Sequence, residues 1–228
     1  MVDQAGNVSE EAAVTDTTIT YSDTAGPTLS SFATSSSSVQ LTTGYYDQDD
    51  TINISAVLSE DVVSTGSMTV LLNTNDSITL TNSGSNSLSG TYQVSLDDNV
   101  SQLAIKEITS SNITDIYGNS LASGVVQQST NIQETAVIDT EEIEGVIGTL
   151  SGATLTLQFS EAVYNQSVVN DVISGLETVN SDSFASWNGS IGTFTLQSDN
   201  NIQSGFDLTF EDLFDLAGNV SDVTFEIL

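Results

Sequence analysis

The fold class of this chain is decided by two stretches of alternating residues, Ile52-Asn-Ile54-Ser-Ala56-Val-Leu58 and Leu155-Thr-Leu157-Gln-Phe159. Apolar residues at every second position are typical of a β-strand with one buried face. Each stretch runs directly into the peptide Ser-Glu-x-Val, and its glutamates, Glu60 and Glu161, lie 101 positions apart. The same strand and the same strand end therefore occur twice.

A second peptide, Asp-x-x-Gly-Asn, keeps nearly the same period. It occurs at Asp3–Asn7, Asp115–Asn119 and Asp215–Asn219, and the last two copies are 100 positions apart. Two unrelated motifs with one period indicate tandem repeats of domain size, each long enough to enclose its own core. We predict one repeat over 23–133, a second over 134–228, and in 1–22 the last strand and linker of a preceding repeat.

Further short alternating stretches follow in both repeats, with clusters of Gly, Ser, Asn and Asp between them, which is turn chemistry. We find no convincing helical period of any length. Many short strands in a domain of about 100 residues favour a β-sandwich of immunoglobulin type. The predicted fold is therefore all-β, with tandem immunoglobulin-like β-sandwich domains arranged end to end.

The composition excludes several classes of function. The 228 residues include 31 acidic side chains, one basic side chain (Lys106), no His and no Cys, for a net charge of −30. Nucleic acids and anionic lipids need clustered Lys or Arg, so neither is an expected partner, and no segment has the length of a membrane helix. Without His, Cys or Arg, only carboxylate chemistry of the glycosidase type remains for an enzyme, and no candidate pair stands out. We expect no catalytic activity.

The motifs in order resemble the immunoglobulin-like repeats of giant bacterial surface adhesins, which include biofilm-associated, RTX and ice-binding adhesins. The resemblance rests on Tyr45-Tyr-Asp-Gln-Asp-Asp50-Thr-Ile, then Leu58-Ser-Glu-Asp-Val62, then Asp115-Ile-Tyr-Gly-Asn119. Asp49 stands where the family usually has Gly, and Ser151-Gly-Ala153 in the second repeat offers no acid at the corresponding point. The resemblance implies repeats that bind calcium at their junctions, stiffen, and hold an adhesive module away from the cell.

The residue types also indicate calcium by themselves. Ca²⁺ takes six to eight oxygen ligands from carboxylates, backbone carbonyls and amides, whereas typical zinc and copper sites need nitrogen or sulfur ligands from His or Cys. In Asp-x-x-Gly-Asn the Asp supplies a carboxylate, the turn at Gly exposes a carbonyl, and the Asn either fixes the turn or contributes its amide oxygen. Asn119 and Asn219 are therefore candidate ligands beside Asp115 and Asp215.

Sandwich topology predicts where the acids meet. The turn between the last two strands, the entry of the first strand and the connection from the second to the third strand share one end of each domain, here called the near end. The near ends would collect Asp23, Glu60, Asp61 and Asp115 in repeat one, and Asp139, Glu161 and Asp215 in repeat two, with Glu141 and Glu142 close by. The opposite end, the far end, of repeat one carries Asp47, Asp49, Asp50 and the turn Asp97-Asp98-Asn99, facing repeat two. For Asp97-Asp98 and Glu141-Glu142, a plain solvated turn is an equally good interpretation.

These observations predict a non-catalytic extender segment of a large bacterial surface adhesin, located outside the cell. Its cofactor would be Ca²⁺ and its partners the neighbouring repeats of the same polypeptide. The alternative is a glycan- or peptide-binding immunoglobulin-like module, which aromatic residues clustered on one exposed face would favour. Aromatic residues make up 7% of the chain, with one Trp, and this composition does not favour that alternative.

Overall fold

The computed structural model describes residues 4–6, 22–36, 38, 40–122, 130–131, 136–164, 184–195 and 203–228. Every regular element in these residues is a β-strand, which confirms the predicted all-β class. The described part contains no helix with the length and apolarity that crossing a membrane requires. The predicted remnant of a preceding repeat, 1–22, lies outside the described residues except for 4–6 and 22.

The first half of the chain, residues 23–133, contains one seven-stranded sheet with the order β1-β3-β6-β5-β4-β7-β8, and all of its pairs are antiparallel. The short strand β2 lies outside this sheet. The strands are β1 (Leu29–Ser36), β2 (Tyr45–Tyr46), β3 (Thr51–Leu58), β4 (Ser67–Leu72), β5 (Ser77–Asn82), β6 (Ser87–Gln93), β7 (Ala104–Ser111) and β8 (Thr130–Asn131).

One apolar core fills the first half. Residues at every second position of β3 are buried, as the alternation predicts, and they join residues of β4, β5 and β6 in a single cluster. Strands β5 and β6 pair through only Thr81↔Ser89 and Asn82↔Leu88, so the sheet is narrowest there. Buried faces from both sides of this narrow pairing share one core, which is consistent with a β-sandwich.

The second half, residues 134–228, has a separate core. Its strands are β9 (Val137–Ile138), β10 (Val146–Ser151), β11 (Thr154–Phe159), β12 (Phe184–Asn188), β13 (Ile191–Thr195), β14 (Asp207–Phe214) and β15 (Val220–Glu226). Strands β10 to β13 form a sheet of order β10-β11-β13-β12, and β14 pairs with β15, whereas β9 belongs to neither sheet. Phe210 lies between Phe159 and Phe225, with ring centroids 5.7 and 5.8 Å away, and these three rings belong to the second apolar cluster.

The linker between the halves pairs with and packs against the first half. Strand β9 pairs in parallel with β2, and Ile138 exchanges backbone hydrogen bonds with Val100. Ala136 and Ile138 pack in the first core, although they lie beyond the predicted boundary at residue 133. Because these contacts hold 136–138, the chain enters the second half from a fixed position against the far end of the first.

A buried tyrosine holds the loop next to this linker. The Tyr92 hydroxyl donates a 2.7 Å hydrogen bond to the Asp98 carboxylate, which also accepts the Ser95 N–H at 2.8 Å. Tyr92 is 2% exposed and Asp98 9%. Burial raises the pKa of Tyr92 above its usual value, and the Asp98 carboxylate raises it further. The tyrosine therefore acts as a neutral donor that fixes the 94–99 turn.

We predict that Tyr92→Phe lowers the free energy of unfolding of the first half by about 1–3 kcal/mol, because the buried Asp98 carboxylate loses a donor. Urea unfolding followed by circular dichroism measures the change. The matched control is Tyr117→Phe, since Tyr117 is 57% exposed and should change stability by less than about 0.5 kcal/mol. Equal effects of the two substitutions would contradict the role given to the Tyr92 hydroxyl.

Candidate metal centres

Two groups of three carboxylates occupy corresponding places in the two halves. In each group, one oxygen from every residue lies within 4.8 Å of the others; the groups are Asp23, Glu60 and Asp115, and Asp139, Glu161 and Asp215. The sequence predicts that these residues lie together at the near ends, and the structure agrees with that placement. Their role as metal ligands stays a prediction.

Backbone pairing brings two members of each group together. Val62, two residues after Glu60, forms an antiparallel bridge with Asp115, and Val163, two residues after Glu161, forms the same bridge with Asp215. The buried valines anchor this contact in the two cores. The third member, Asp23 or Asp139, comes from the segment that leads into each half.

The Asp-x-x-Gly-Asn turn holds its own aspartate in place. The Asp115 Oδ1 accepts the N–H groups of Tyr117 and Asn119, both at 2.8 Å. The Asp215 Oδ1 accepts N–H groups of the second turn, at 2.6 Å from Gly218 and 2.9 Å from Asn219. Gly118 and Gly218 have φ of 88° and 116°, which explains why the motif needs glycine there.

The asparagine of the motif is a clamp. Asn119 Nδ2 donates to Asp115 Oδ2 at 2.7 Å and to the backbone carbonyl of Asp23 at 3.1 Å. Asn219 Nδ2 does the same with Asp215 Oδ2 at 2.7 Å and the Asp139 carbonyl at 2.9 Å. Both amide hydrogens are thereby used. Of the two roles that the sequence suggests for this asparagine, fixing the turn is the one that these contacts support.

The carboxylates of the second group disfavour each other's charge. Burial raises the pKa of Glu161 to about 7, and Asp139, Asp215, Glu141 and Glu144 raise it in addition. The pKa of Asp139 is also raised, first by burial and then by Asp215 and Glu141, against hydrogen bonds that lower it. Burial and neighbouring negative charge therefore both favour the protonated form of Glu161 and of Asp139.

In the first group, the pKa values of two carboxyls shift in opposite directions. Burial raises the pKa of Glu60, and the carboxylates of Asp23 and Asp115 add to the effect. Burial also acts to raise the pKa of Asp115, but hydrogen bonds from Asn119, Tyr117 and Gly118 outweigh it and lower the pKa. The surroundings of Asp115 therefore favour its ionised form, whereas those of Glu60 favour its protonated form.

The remaining predicted acids do not join these groups. Asp61 is exposed beside Glu60 and is outside the group of three. Asp49 and Asp97 are exposed turn residues with φ of 69° and 74°; the Asp49 N–H donates to the Val94 carbonyl and the Asp97 N–H to the Thr140 hydroxyl. Asp50 Oδ2 accepts the Asp47 N–H at 3.3 Å. Asp49, Asp50 and Asp97 therefore lie outside the two groups of three carboxylates, and their role as metal ligands stays a prediction.

Asp47 is the site residue that the predicted ligand set omits. Burial raises its pKa to about 6, followed by the charges of Asp50 and, from the second half, Asp215. A Cβ added to Gly218 would lie 3.4 Å from its Oδ2. A cleft between the halves is lined by Gln40, Leu41, Asp47, Asp50, Phe214, Ala217 and Gly218. Asp47 is therefore close enough to Asp215 for the two charges to interact, although it is not a member of the second group.

The donor set fits a hard cation. All six grouped side chains offer oxygen only, and the single basic residue of the chain, Lys106, donates instead to Asn75. Each group has one buried and two half-buried carboxylate residues and no basic partner. Such oxygen ligands match the preference of Ca²⁺ rather than that of zinc or copper. No family model matches this sequence, and no curated protein matches it either. The resemblance to adhesin repeats therefore rests on the motifs quoted above.

We predict that Asn219→Ala weakens calcium binding at the second group about 10–100-fold, the usual effect of removing a group that orients a ligand. The substitution frees Asp215 Oδ2 and the Asp139 carbonyl from the donor that joins them. Isothermal titration calorimetry measures the affinity. Asn119→Ala should weaken the first group alone, and the exposed Gln158→Ala serves as control. Unchanged affinity in both asparagine variants would show that the clamp is dispensable.

We predict that calcium binding at the second group releases protons below about pH 8. Glu161, with a pKa of about 7, must ionise to bind, so at pH 7 it contributes about half a proton. The raised pKa also means that the metal-free protein loses stability as pH rises from about 4.5 through 7. Calorimetry in buffers of different ionisation enthalpy counts the protons. Glu161→Gln should abolish the release at this group, because it removes both the titrating carboxyl and a ligand, and Glu107→Gln should keep it.

Proposed function

We propose that this chain is a non-catalytic extender segment of a large bacterial surface adhesin, built from two immunoglobulin-like β-sandwich repeats and stiffened by Ca²⁺ at its acidic groups. The observation that carries the proposal is the recurrence of one three-carboxylate group at corresponding places in both halves. A catalytic pair needs to occur once, whereas a joint between repeats recurs with every repeat.

The position of the second group supports a role in the joint. Its Asp139 follows directly on β9, which pairs with β2 of the first half. The Thr140 hydroxyl accepts the Asp97 N–H at 3.1 Å, and the Thr140 N–H donates to Asn99 Oδ1 at 2.8 Å. A cation bound by Asp139, Glu161 and Asp215 would therefore tie the linker, the end of β11 and the last turn of the second half into one unit.

A bound cation would act by offsetting the electrostatic repulsion among the three carboxylates. Two unit charges 4.8 Å apart, the limit within this group, repel by about 3 kcal/mol at an effective dielectric of about 20. Each hydrogen bond across the junction contributes only about 0.5–1.5 kcal/mol. Without a cation, repulsion among three ionised carboxylates outweighs several of these bonds, and with one it becomes attraction to a common ion. We infer that the joint is loose without calcium and stiff with it.

The expected affinity matches an extracellular location. Calcium sites of extracellular modules have dissociation constants of about 10⁻⁴–10⁻³ M, so they fill outside cells and stay empty at cytosolic calcium levels. A non-catalytic spacer that stiffens only after export would remain pliable during secretion. The net charge of −30 also keeps such a segment soluble and limits nonspecific contact with other acidic surfaces.

We predict that calcium at ten times its dissociation constant stabilises each half by about 1.4 kcal/mol and raises its melting temperature by about 5–10 °C. Glu60→Gln and Glu161→Gln should each lose this response in their own half. Both should melt higher than the parent protein in chelator, because one of three repelling carboxylates is gone. Glu107→Gln, exposed on β7, is the control and should behave as the parent protein does.

Small-angle scattering of the same variants tests whether the second group, and not the first, controls the flexibility between the halves. In calcium, Glu161→Gln should show the larger flexibility of the chelated parent protein, whereas Glu60→Gln should stay as stiff as the calcium-loaded parent. A melting curve and a scattering profile that chelator leaves unchanged would overturn the proposal. A calcium response that survives in Glu161→Gln would show that calcium acts at a site other than the second group.

A further inference from the structure

The first half begins and ends in strands that point in the same direction. Strand β1 pairs Leu29 with Leu58, next to the near end, and Ser36 with Ile52, next to the far end, so it runs from near to far. Strand β9 is parallel to β2 and ends at the far end, where Ile138 continues into the linker. The chain therefore enters the first half at one end and leaves it at the other.

The last residues of the first half, 136–139, are here called the exit segment. On one side the exit segment is bonded to β2 and the residue before it. The Val137 N–H donates to the Gly44 carbonyl at 2.8 Å, and the Asp139 N–H donates to the Tyr46 carbonyl at 3.0 Å. These two bonds belong to the parallel pairing of β2 with β9.

The exit segment is bonded on its other side as well. Ile138 exchanges two backbone hydrogen bonds of 2.9 Å with Val100, and the Leu103 N–H donates to the Ala136 carbonyl at 2.7 Å. The side chains of Ala136 and Ile138 are 0% and 1% exposed. Within the described residues, five backbone bonds and two buried side chains thus hold a segment of four residues.

The second half holds residues 227–228 in the same way. Leu228 bonds to β10 on one side, where its N–H donates to the Gly148 carbonyl at 2.9 Å and its carbonyl accepts the Leu150 N–H at 3.2 Å. Ile227 bonds to residues 205–206 on the other side, with both distances 2.8 Å. The bridge between Gly148 and Ile227 is parallel, as the β2–β9 pairing is. The arrangement therefore recurs in both halves.

We propose that the exit segment is a shear lock, which carries tension along the polypeptide through the first half. Hydrogen bonds in a sheet lie across the strands rather than along them. Tension on the linker pulls β9 along its own axis, so it slides past β2 and residues 100–103 and strains all five bonds together. A load across the strands would instead break the bonds one after another. Because the lock uses neutral backbone groups, it goes beyond the proposed function and requires no cation.

The test pulls the full chain in two directions with optical tweezers. The sequence has no cysteine, so pairs of introduced cysteines define the points of attachment. Ser22→Cys with Glu142→Cys, the axial pair, loads the first half along the chain. Gln48→Cys with Glu142→Cys, the peeling pair, loads β2 and β9 from the same end, so their bonds open in sequence. All three positions are exposed.

At one loading rate, the axial pair should unfold the first half at about twice the force of the peeling pair or more, because sheared bonds must break together and forced unfolding follows the unfolding rate. The two pairs share the handle at residue 142 and differ only in the other one. Equal forces, or a lower force for the axial pair, would overturn the shear lock.

A proline substitution locates the lock within the first half. Val137→Pro removes the N–H that donates to Gly44, and it should lower the axial force. The control Ser83→Pro removes the N–H that donates to the Ser87 carbonyl in the β5–β6 connection, and it should leave the axial force unchanged. Circular dichroism checks that both variants fold. An equal loss of force in both would overturn the assignment to the exit segment; if Val137→Pro does not fold, the comparison of the two directions decides.

Measurements in chelator separate this inference from the proposed function. If the axial force exceeds the peeling force in chelator while calcium leaves melting and scattering unchanged, the shear lock stands and the proposed function fails. If the difference in force appears only in calcium, the acidic groups carry the load, so the proposed function stands and the shear lock fails.

Discussion

The structure depends on one constraint, which is that carboxylates of like charge are held together with no basic side chain to offset them. Each group combines a fixed aspartate, Asp115 or Asp215, with a glutamate from a strand end and an aspartate from the incoming segment. In both groups this aspartate is buried and accepts hydrogen bonds from the N–H groups of its turn. In the first group the hydrogen bonds outweigh burial and lower the pKa of Asp115. A proton or a cation would relieve the repulsion, and in the second group burial, followed by the neighbouring carboxylates, raises the pKa of Glu161 to about 7.

The asparagine clamp connects the acidic turn to the backbone of the segment that leads into each half. Asn219 joins the last turn of the second half to the carbonyl of Asp139, which lies in the linker. Any change in the charge of Asp215 therefore acts on the residue that follows β9, and β9 is paired with the first half. If the second group binds an ion as proposed, the clamp would give a short path from that ion to the linker between the halves.

The strands and the two acidic groups could be predicted because they depend on local pattern and on period. Alternation in 52–58 fixes which residues of β3 are buried. The nearly equal spacings of Glu60 to Asp115 and of Glu161 to Asp215 reflect one backbone pairing made twice. The far end could not be predicted to the same depth, because Asp, Asn and Gly serve equally as turn formers and as ligands. Asp49 and Asp97 adopt positive φ to form turns, Asp98 is buried because Tyr92 reaches it, and Asp47 gains its position only when the second half approaches. These outcomes depend on tertiary contacts that no short motif encodes.

The contacts across the junction would differ in how they respond to calcium if the second group binds it as proposed. Pairing of β2 with β9 and the hydrogen bonds of Thr140 use neutral groups, so they do not depend directly on the charge of the carboxylates. The carboxylates of Asp139, Glu161 and Asp215 would respond to a cation directly, since their mutual repulsion exceeds the strength of single hydrogen bonds when they are ionised. The proposed joint, made of both kinds of contact, would therefore loosen without separating when calcium is withdrawn. Because the neutral contacts would keep the register of the linker, the acids would return to the same places when the ion binds again, and the stiffening would be reversible.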